Sequence, residues 1–351
     1  MKKRIFALLL CAVMLCISLC SCTNTGIKFI QQKNEIHLNY NNVSAGNSSI
    51  WIDNEGVYYS NDLNLRAIGQ DGMEILNSEV WGVSDIQRHG DKLYYYEGRT
   101  VDDEFHIYLV EYDLNVKKVT LEIYLYNDEE AISETGLIIL DGYGYYSTID
   151  NTFMRIRLNK GAVPETVATS VFSYGSADGK VRYIIRTGFT YDIYEYDGES
   201  LKIGSFEYIT YPGEVIESLV NFTNDRVIFS QYGDVSRFII YHIGSGTVNT
   251  VDVEFEYYQA VAFENYMFIS NAYSVDDGLA ANRTDIYRLC FEDGSVENIY
   301  SGDSWLDIFV TSDEDFYVYV YGALGLKHVG IDGKAEDVLD YNPIFALLYD
   351  F

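Results

Sequence analysis

Short runs of apolar and aromatic residues recur along the chain. They are Val57-Tyr58-Tyr59-Ser60, Leu93-Tyr94-Tyr95-Tyr96, Gly144-Tyr145-Tyr146-Ser147, Val181-Arg182-Tyr183-Ile184, Val227-Ile228-Phe229-Ser230, Met267-Phe268-Ile269-Ser270 and Phe316-Tyr317-Val318-Tyr319. Turn residues stand just before most of them, as in Asn54-Glu55-Gly56, Gly90-Asp91 and Asn224-Asp225. Gly, Asn and Asp accept the positive φ that tight hairpins need. After each run comes a loop of variable length. A second segment, alternating apolar and polar, then ends in another turn. Alternation of period two marks strands, and no stretch sustains a helical period.

The second turns fall near residues 72, 115, 160, 198, 246, 294 and 333, 38 to 48 residues apart. Each interval has room for four short strands joined by hairpins. Four strands every 40 to 50 residues is the pattern of a β-propeller, whose blades bury one another's faces by radial repetition. The expectation is an all-β chain of seven four-stranded antiparallel blades. Eight remain open if Glu35–Tyr40 and Ile344–Tyr349, both strand-like, build a further partial blade or close the ring. A pair of β-sandwiches is the competing arrangement, but it does not account for evenly spaced turns.

Composition agrees with strands: 33 of 351 residues are Tyr, and aromatics make up 15%. Charge changes the picture more. There are 53 acidic and 24 basic side chains, a net −29. So negative a chain repels nucleic acid, which is bound through a positive field. The 48% hydrophobic content separates it from acidic disordered tails.

The repeat, Gly or Asn before Val-Tyr-Tyr-Ser and then hydrophobic-Tyr-x-hydrophobic-x-Asp-Gly, resembles that of bacterial lipoproteins carrying propeller repeats of the low-density-lipoprotein-receptor YWTD kind. The resemblance covers roughly residues 48–340 and implies a fold rather than an activity. At the N-terminus, Lys2-Lys3-Arg4 precedes an apolar run from Ile5 to Leu19. Fifteen residues are too few for a membrane span and suit a signal-peptide core. The run ends in Leu19-Cys20-Ser21-Cys22, which resembles the bacterial lipobox. That likeness implies cleavage before Cys22 and lipidation of its thiol, with an ordinary secretory signal as the alternative. Expected divisions are a signal over 1–21, a lipidated Cys and tether over 22–34, and one propeller over 35–351. The expected location is the outer side of a bacterial cell membrane. Cys11, Cys16 and Cys20 leave with the signal, so Cys290 would stay as a lone thiol, expected to be buried and inert.

Candidate chemistry is sparse. The chain holds no Gly-x-Ser-x-Gly elbow, phosphate loop or dinucleotide fingerprint. Ser176-Ala177-Asp178-Gly179 matches only a fragment of a sialidase Asp box. Asp102-Asp103-Glu104 and Asp276-Asp277-Gly278 lack the alternating spacing of a calcium loop, and the five His are scattered. No cofactor or metal is expected. Two segments read as long loops, Glu97–Glu104 and Asn271–Asp285. Trp81, Tyr257, Tyr258 and Trp305 are expected to open innermost strands. They could ring the channel mouth as a platform for a glycan, peptide or protein ligand, with Arg99 and Arg283 as anion partners. Packing between blades is the other reading of each aromatic. Both classes of site belong on the face opposite the Asp-Gly turns, where loop length varies most. The leading functional expectation is a membrane-anchored binding or scaffold module. The alternative is a carbohydrate-active hydrolase or lyase using carboxylates at the channel mouth.

Overall fold

The computed structural model describes Asn41 and residues 49–339, apart from 54, 62–63, 70–71, 79, 128–135, 208–219, 232–235, 276–282 and 320–324. Twenty-eight strands form seven antiparallel sheets of four, each paired in chain order. Blade 1 holds β1 (Ile50–Ile52), β2 (Val57–Asn61), β3 (Asn64–Gly69) and β4 (Gly72–Ser78). Blade 2 holds β5 (Trp81–His89), β6 (Lys92–Val101), β7 (Glu104–Asp113) and β8 (Lys118–Asn127). Blade 3 holds β9 (Ile138–Leu140), β10 (Tyr143–Ser147), β11 (Phe153–Arg157) and β12 (Glu165–Ala168). Blade 4 holds β13 (Val171–Ala177), β14 (Lys180–Thr187), β15 (Thr190–Tyr196) and β16 (Ser200–Glu207). Blade 5 holds β17 (Val220–Phe222), β18 (Arg226–Gln231), β19 (Ser236–His242) and β20 (Val248–Val253). Blade 6 holds β21 (Gln259–Ala262), β22 (Tyr266–Tyr273), β23 (Arg283–Cys290) and β24 (Val296–Gly302). Blade 7 holds β25 (Asp307–Val310), β26 (Asp315–Tyr319), β27 (Leu326–Gly330) and β28 (Ala335–Leu339).

First strands adjoin first strands of neighbouring blades, as β13 with β17, β17 with β21 and β21 with β25. They therefore ring the axis, and the mostly exposed fourth strands form the rim. The chain is a seven-bladed β-propeller. The terminal runs 35–40 and 344–349 lie outside the described residues.

The core is a set of seams between blades, which excludes two separate sandwiches. Val227, Phe229 and Ile239 of blade 5 pack towards blade 4, on Ile184, Tyr191 and Phe206. Their neighbours Ile228, Phe238 and Ile240 face blade 6, on Tyr257, Ala260 and Met267. Successive residues of a strand point to opposite faces. A strand buried on both faces must therefore be apolar at every position, hence the unbroken runs in the sequence. Blades 7 and 1 close the ring with the same kind of seam, where Trp51 meets Phe309 edge-on at 5.7 Å between ring centroids.

First strands have one unpaired edge, whose N–H and C=O groups need partners. Amide side chains from a neighbouring blade supply them. Asn221 accepts from Ala262 N–H at 3.0 Å and donates to Ala260 C=O at 3.3 Å. Gln87 does the same for Ile139 N–H and Leu137 C=O, and Gln259 accepts from Ile308 N–H. Asn41, ahead of blade 1, clamps blades 5 and 6 through Phe222 and Ala262.

Candidate functional site

Antiparallel pairing sets two faces. Turns from first to second and from third to fourth strands lie on one. Loops from second to third strands and connections between blades lie on the other. Gly198, Gly294 and Gly333, in turns from third to fourth strands with φ of 70–78°, belong to the first face. All five predicted ligand-binding residues belong to the second. Trp81 and the pair Tyr258 and Trp305 stand at the start of first strands, while Arg99 and Arg283 flank second-to-third connections.

Only some of them meet. Tyr258 and Trp305 touch across the mouth of the seam between blades 6 and 7, with centroids 4.6 Å apart and ring planes at 86°. They are 44% and 42% exposed. Both backbones are fixed. Tyr258 N–H donates to Ser270 C=O at 2.7 Å. The Thr284 hydroxyl donates to Ser304 C=O and accepts from Leu306 N–H, pinning the chain on both sides of Trp305. Arg283, next to Thr284, is 3.6 Å from the Asp285 carboxylate.

Trp81 pairs with Gly98 in the ladder of blade 2, and its side chain lies outside the described residues. Arg99 is on the same blade, with blade 1 between it and the aromatic pair. It is no free anion partner: it bonds Glu97 at 2.6 Å and also Glu122, and lies 4.7 Å over the Tyr108 ring. Tyr257 follows the packing reading. It is buried, its ring on Phe238 and its hydroxyl donating to Ser230 at 2.5 Å. Glu97–Glu104 is not a long loop. It extends β6 and β7 to a two-residue turn at Asp102 and Asp103, both at positive φ. Asp178 and Gly179, the Asp-box fragment, make a turn of the same form. The ends of the predicted loop Asn271–Asp285 are strand, with Asn271 paired to Asp285 and Tyr273 to Arg283, and 276–282 between them lie outside the described residues.

The residue missed is Asp307, the first residue of β25, which interacts with both members of the aromatic pair. It is buried at 7% exposure, and its Oδ1 has no hydrogen-bond partner. Burial pushes its pKa up to about 6, and the nearby Trp305 indole N–H offsets part of that rise. The buried charge in turn helps hold the Tyr258 hydroxyl above its ordinary range, a shift caused chiefly by burial of the ring. A signal existed. Trp-x-Asp occurs at Trp51-Ile52-Asp53 and again at Trp305-Leu306-Asp307. In blade 1 the Trp51 indole donates to Asp53 at 3.2 Å, and Arg88 completes the carboxylate at 2.9 Å. Asp307 has no Lys or Arg within ion-pair distance among the described residues.

On the opposite face a cavity of about 390 Å³ opens between blades 5 and 6, bordered by Arg226, His242, Asn249, Cys290 and Phe291. Some of its lining side chains are already engaged. Arg226 bonds Asp225 and Glu264 C=O, and His242 is paired with Asn249. The Cys290 thiol is half-buried at its edge rather than enclosed. No group of three or more His, Cys, Asp or Glu among the described residues is placed to hold a metal.

No family model matches the chain, and no curated protein matches it. Among solved structures it is similar to Hsv2 of Kluyveromyces lactis, at 9% identity and a TM-score of 0.52 over 79% of this chain and 89% of that one. A second Hsv2 structure with complete loop 6CD gives 9% identity and 0.51, over 79% and 90%. The β-propeller domain of the Trilobed protease from Pyrococcus furiosus gives 14% identity and 0.48, over 85% and 98%. At such identities the two Hsv2 matches establish a shared propeller fold and carry no function with it.

Proposed function

We propose that this chain is a lipid-anchored, extracytoplasmic propeller of the YWTD-like bacterial kind, acting as a binding or scaffold module on the cell membrane. The observation that carries the binding reading is the Tyr258–Trp305 pair. Two large rings, each more than two-fifths exposed, are held edge to face on a rigid frame. Large aromatics tied down in the open are characteristic of contact surfaces, because they bring area at little loss of conformational freedom. A glycan, a peptide or a protein segment are the ligand classes that suit it. The anchor rests on Lys2-Lys3-Arg4, the apolar run and Leu19-Cys20-Ser21-Cys22, all outside the described residues. Removal of the three leader cations takes the charge from −29 to −32, so attachment to an anionic surface needs the lipid.

Two measurements test this. Cys22→Ala is expected to move the protein from the membrane fraction to the medium, or to leave it unprocessed. Unchanged fractionation and mass would remove the anchor. Glycan and peptide libraries should retain the protein through Trp305, with Trp305→Ala losing roughly tenfold or more in affinity while keeping its melting temperature within a few degrees. An unaltered binding profile in that variant would dispose of the site. The hydrolase alternative draws on the raised pKa of Asp307, which suits a general acid. It needs a second carboxylate about 5–9.5 Å away. Turnover of a glycan that Asp307→Asn abolishes would establish it instead.

A further inference from the structure

Resting on the binding reading of the mouth between blades 6 and 7, we propose that Tyr258, Trp305 and Asp307 form a receptor for an alkylammonium group, free or carried on a lysine side chain.

Two aromatic walls at 86° offer ring faces in two directions. A cation on such faces is drawn by the ring quadrupole, most strongly for Trp. Beside the walls lies a carboxylate, Asp307, with no Lys or Arg in ion-pair distance among the described residues. Asp307 is more than nine-tenths buried, and Oδ1 accepts no hydrogen bond. A buried carboxylate without a partner is costly, and a ligand that brings positive charge recovers part of that cost. The cation need not touch Oδ1. A charge beside low-dielectric rings acts on the open side with little screening.

Blade 1 supplies an internal comparison. The same Trp-x-Asp sequence there places Asp53 beside the Trp51 indole, and a protein cation, Arg88, bonds the same Oδ2 at 2.9 Å while Oδ1 accepts from the Glu55 and Gly56 N–H groups. Asp307 has the indole beside it, but no Lys or Arg within ion-pair distance among the described residues; the blade 7 lysines Lys327 and Lys334 pair with Asp337 and Asp332. Trp51 is buried at 3% exposure, whereas Trp305 stands open to solvent. The two carboxylates stand at opposite ends of their innermost strands, Asp53 in the turn after β1 and Asp307 opening β25, and among the described residues the fold supplies a cation only to the first. The net charge of −29 concentrates cations near the surface and disfavours anionic ligands.

Hydrogen-bond donors and charges around Asp307 bear on the pH response. From the segment before β21 comes the Tyr258 hydroxyl, held above the ordinary tyrosine range by burial, and from β26 the cross-strand Tyr319. From the segment before β25 comes the Trp305 indole, and from β21 the neutral Gln259, which holds Ile308 N–H. Asp307 alone among these changes charge between pH 5 and 7. Affinity for a cation of fixed charge should therefore fall as the pH drops through about 6.

The test titrates the full protein in detergent with choline and with its uncharged isostere 3,3-dimethylbutan-1-ol, by calorimetry and Trp fluorescence at low salt. Choline is expected to bind at least roughly tenfold more tightly than the isostere. Asp307→Asn, nearly the same shape, should lose most of that discrimination, together with the fall between pH 7 and 5. Trp305→Ala should bind neither. A peptide with one trimethyl-lysine, set against the same peptide with norleucine, then separates the sources. Tighter binding of the peptide than of choline points to a polymer-borne cation, and the reverse to a free amine. Equal affinity for choline and the isostere, or choline affinity unchanged in Asp307→Asn, overturns the proposal. If library ligands still bind through Trp305 in that event, the binding site survives and only its charge preference is lost. If they do not, both readings fall.

Discussion

Replacing Asp85 with Asn is expected to flatten the stability of this protein between pH 4 and pH 7. Asp85 lies in β5, between blades 2 and 3, where two register shifts interrupt the ladder to β6. It is buried and is pushed up from 3.8 to about 7 by loss of water, against the opposing hydrogen bonds of Ser84 and the Leu137 N–H. The unfolded chain releases this proton near pH 4, and the folded chain holds it until about pH 7. Between the two the native state binds more protons, so stability falls as pH rises. Each unit is worth about 1.4 kcal/mol, which puts the whole loss on the order of 4 kcal/mol, most of it spent by neutral pH. The contribution is intact below pH 4 and gone above about 7. Asn has nearly the same shape and also tolerates the φ of 56° at this position. Its amide oxygen can accept from the Leu137 N–H while its NH2 donates to the Ser84 hydroxyl, and it cannot ionise. Urea unfolding followed by Trp fluorescence at pH 4, 5, 6, 7 and 8 gives the difference between the two proteins, in which all other carboxylates cancel. That difference should favour Asn by a margin that grows to roughly 3 kcal/mol over this range. Parallel curves would refute the argument and place the Asp85 carboxylate in contact with water or with a cation.

Two further substitutions probe the ring. Asn221→Ala leaves Ala262 N–H and Ala260 C=O without their partner in a buried seam, and should lower unfolding free energy by about 2–4 kcal/mol, read from the urea midpoint at constant slope. A loss under about 0.5 kcal/mol would mean that water replaces the amide. Gly175→Ala sets a Cβ 2.3 Å from the buried Phe222 ring, and should cost about 1–3 kcal/mol through displaced packing. Gly179→Ala, at φ of +65° with open space around it, should cost only about 1 kcal/mol of backbone strain. Equal losses at the two sites would show that steric contact is not what the first one measures.

Strand number and blade count were legible because the physics repeats. Every second strand is buried on two faces, so it writes an unbroken apolar run such as Val227-Ile228-Phe229, and every hairpin needs a residue that accepts positive φ. Seven copies of both signals give the architecture. Loop length was less legible. Asp102 and Asp103 carry a two-residue turn without the Asn-Gly or Asp-Gly pair that usually announces one, so two long strands passed for a loop. The amide clamps were not legible at all. Asn221, Gln87 and Gln259 are ordinary polar residues until a neighbouring blade brings an unpaired strand edge to them.

The candidate site shows where sequence stops and tertiary structure begins. Tyr257 and Tyr258 are adjacent and identical, yet one hydroxyl bonds Ser230 inside a seam and the other ring stands in solvent. Strand geometry guarantees that neighbours point opposite ways, but not which one points out. That parity is set by register against blade 7, through contacts made some 50 residues downstream at Trp305 and Ile308. Carboxylates raise the same difficulty more sharply. With 53 acidic residues in the chain, one more Asp after Trp-x carries no information by itself. Asp53 and Asp307 share a local sequence and an indole neighbour. They differ because Asp53 follows β1, in the turn where Arg88, 35 residues on, folds back onto it, while Asp307 opens β25 at the other end of its strand and meets no cation among the described residues. Chemistry at the mouth of blades 6 and 7 therefore depends on a charge imbalance that exists only once the ring has closed.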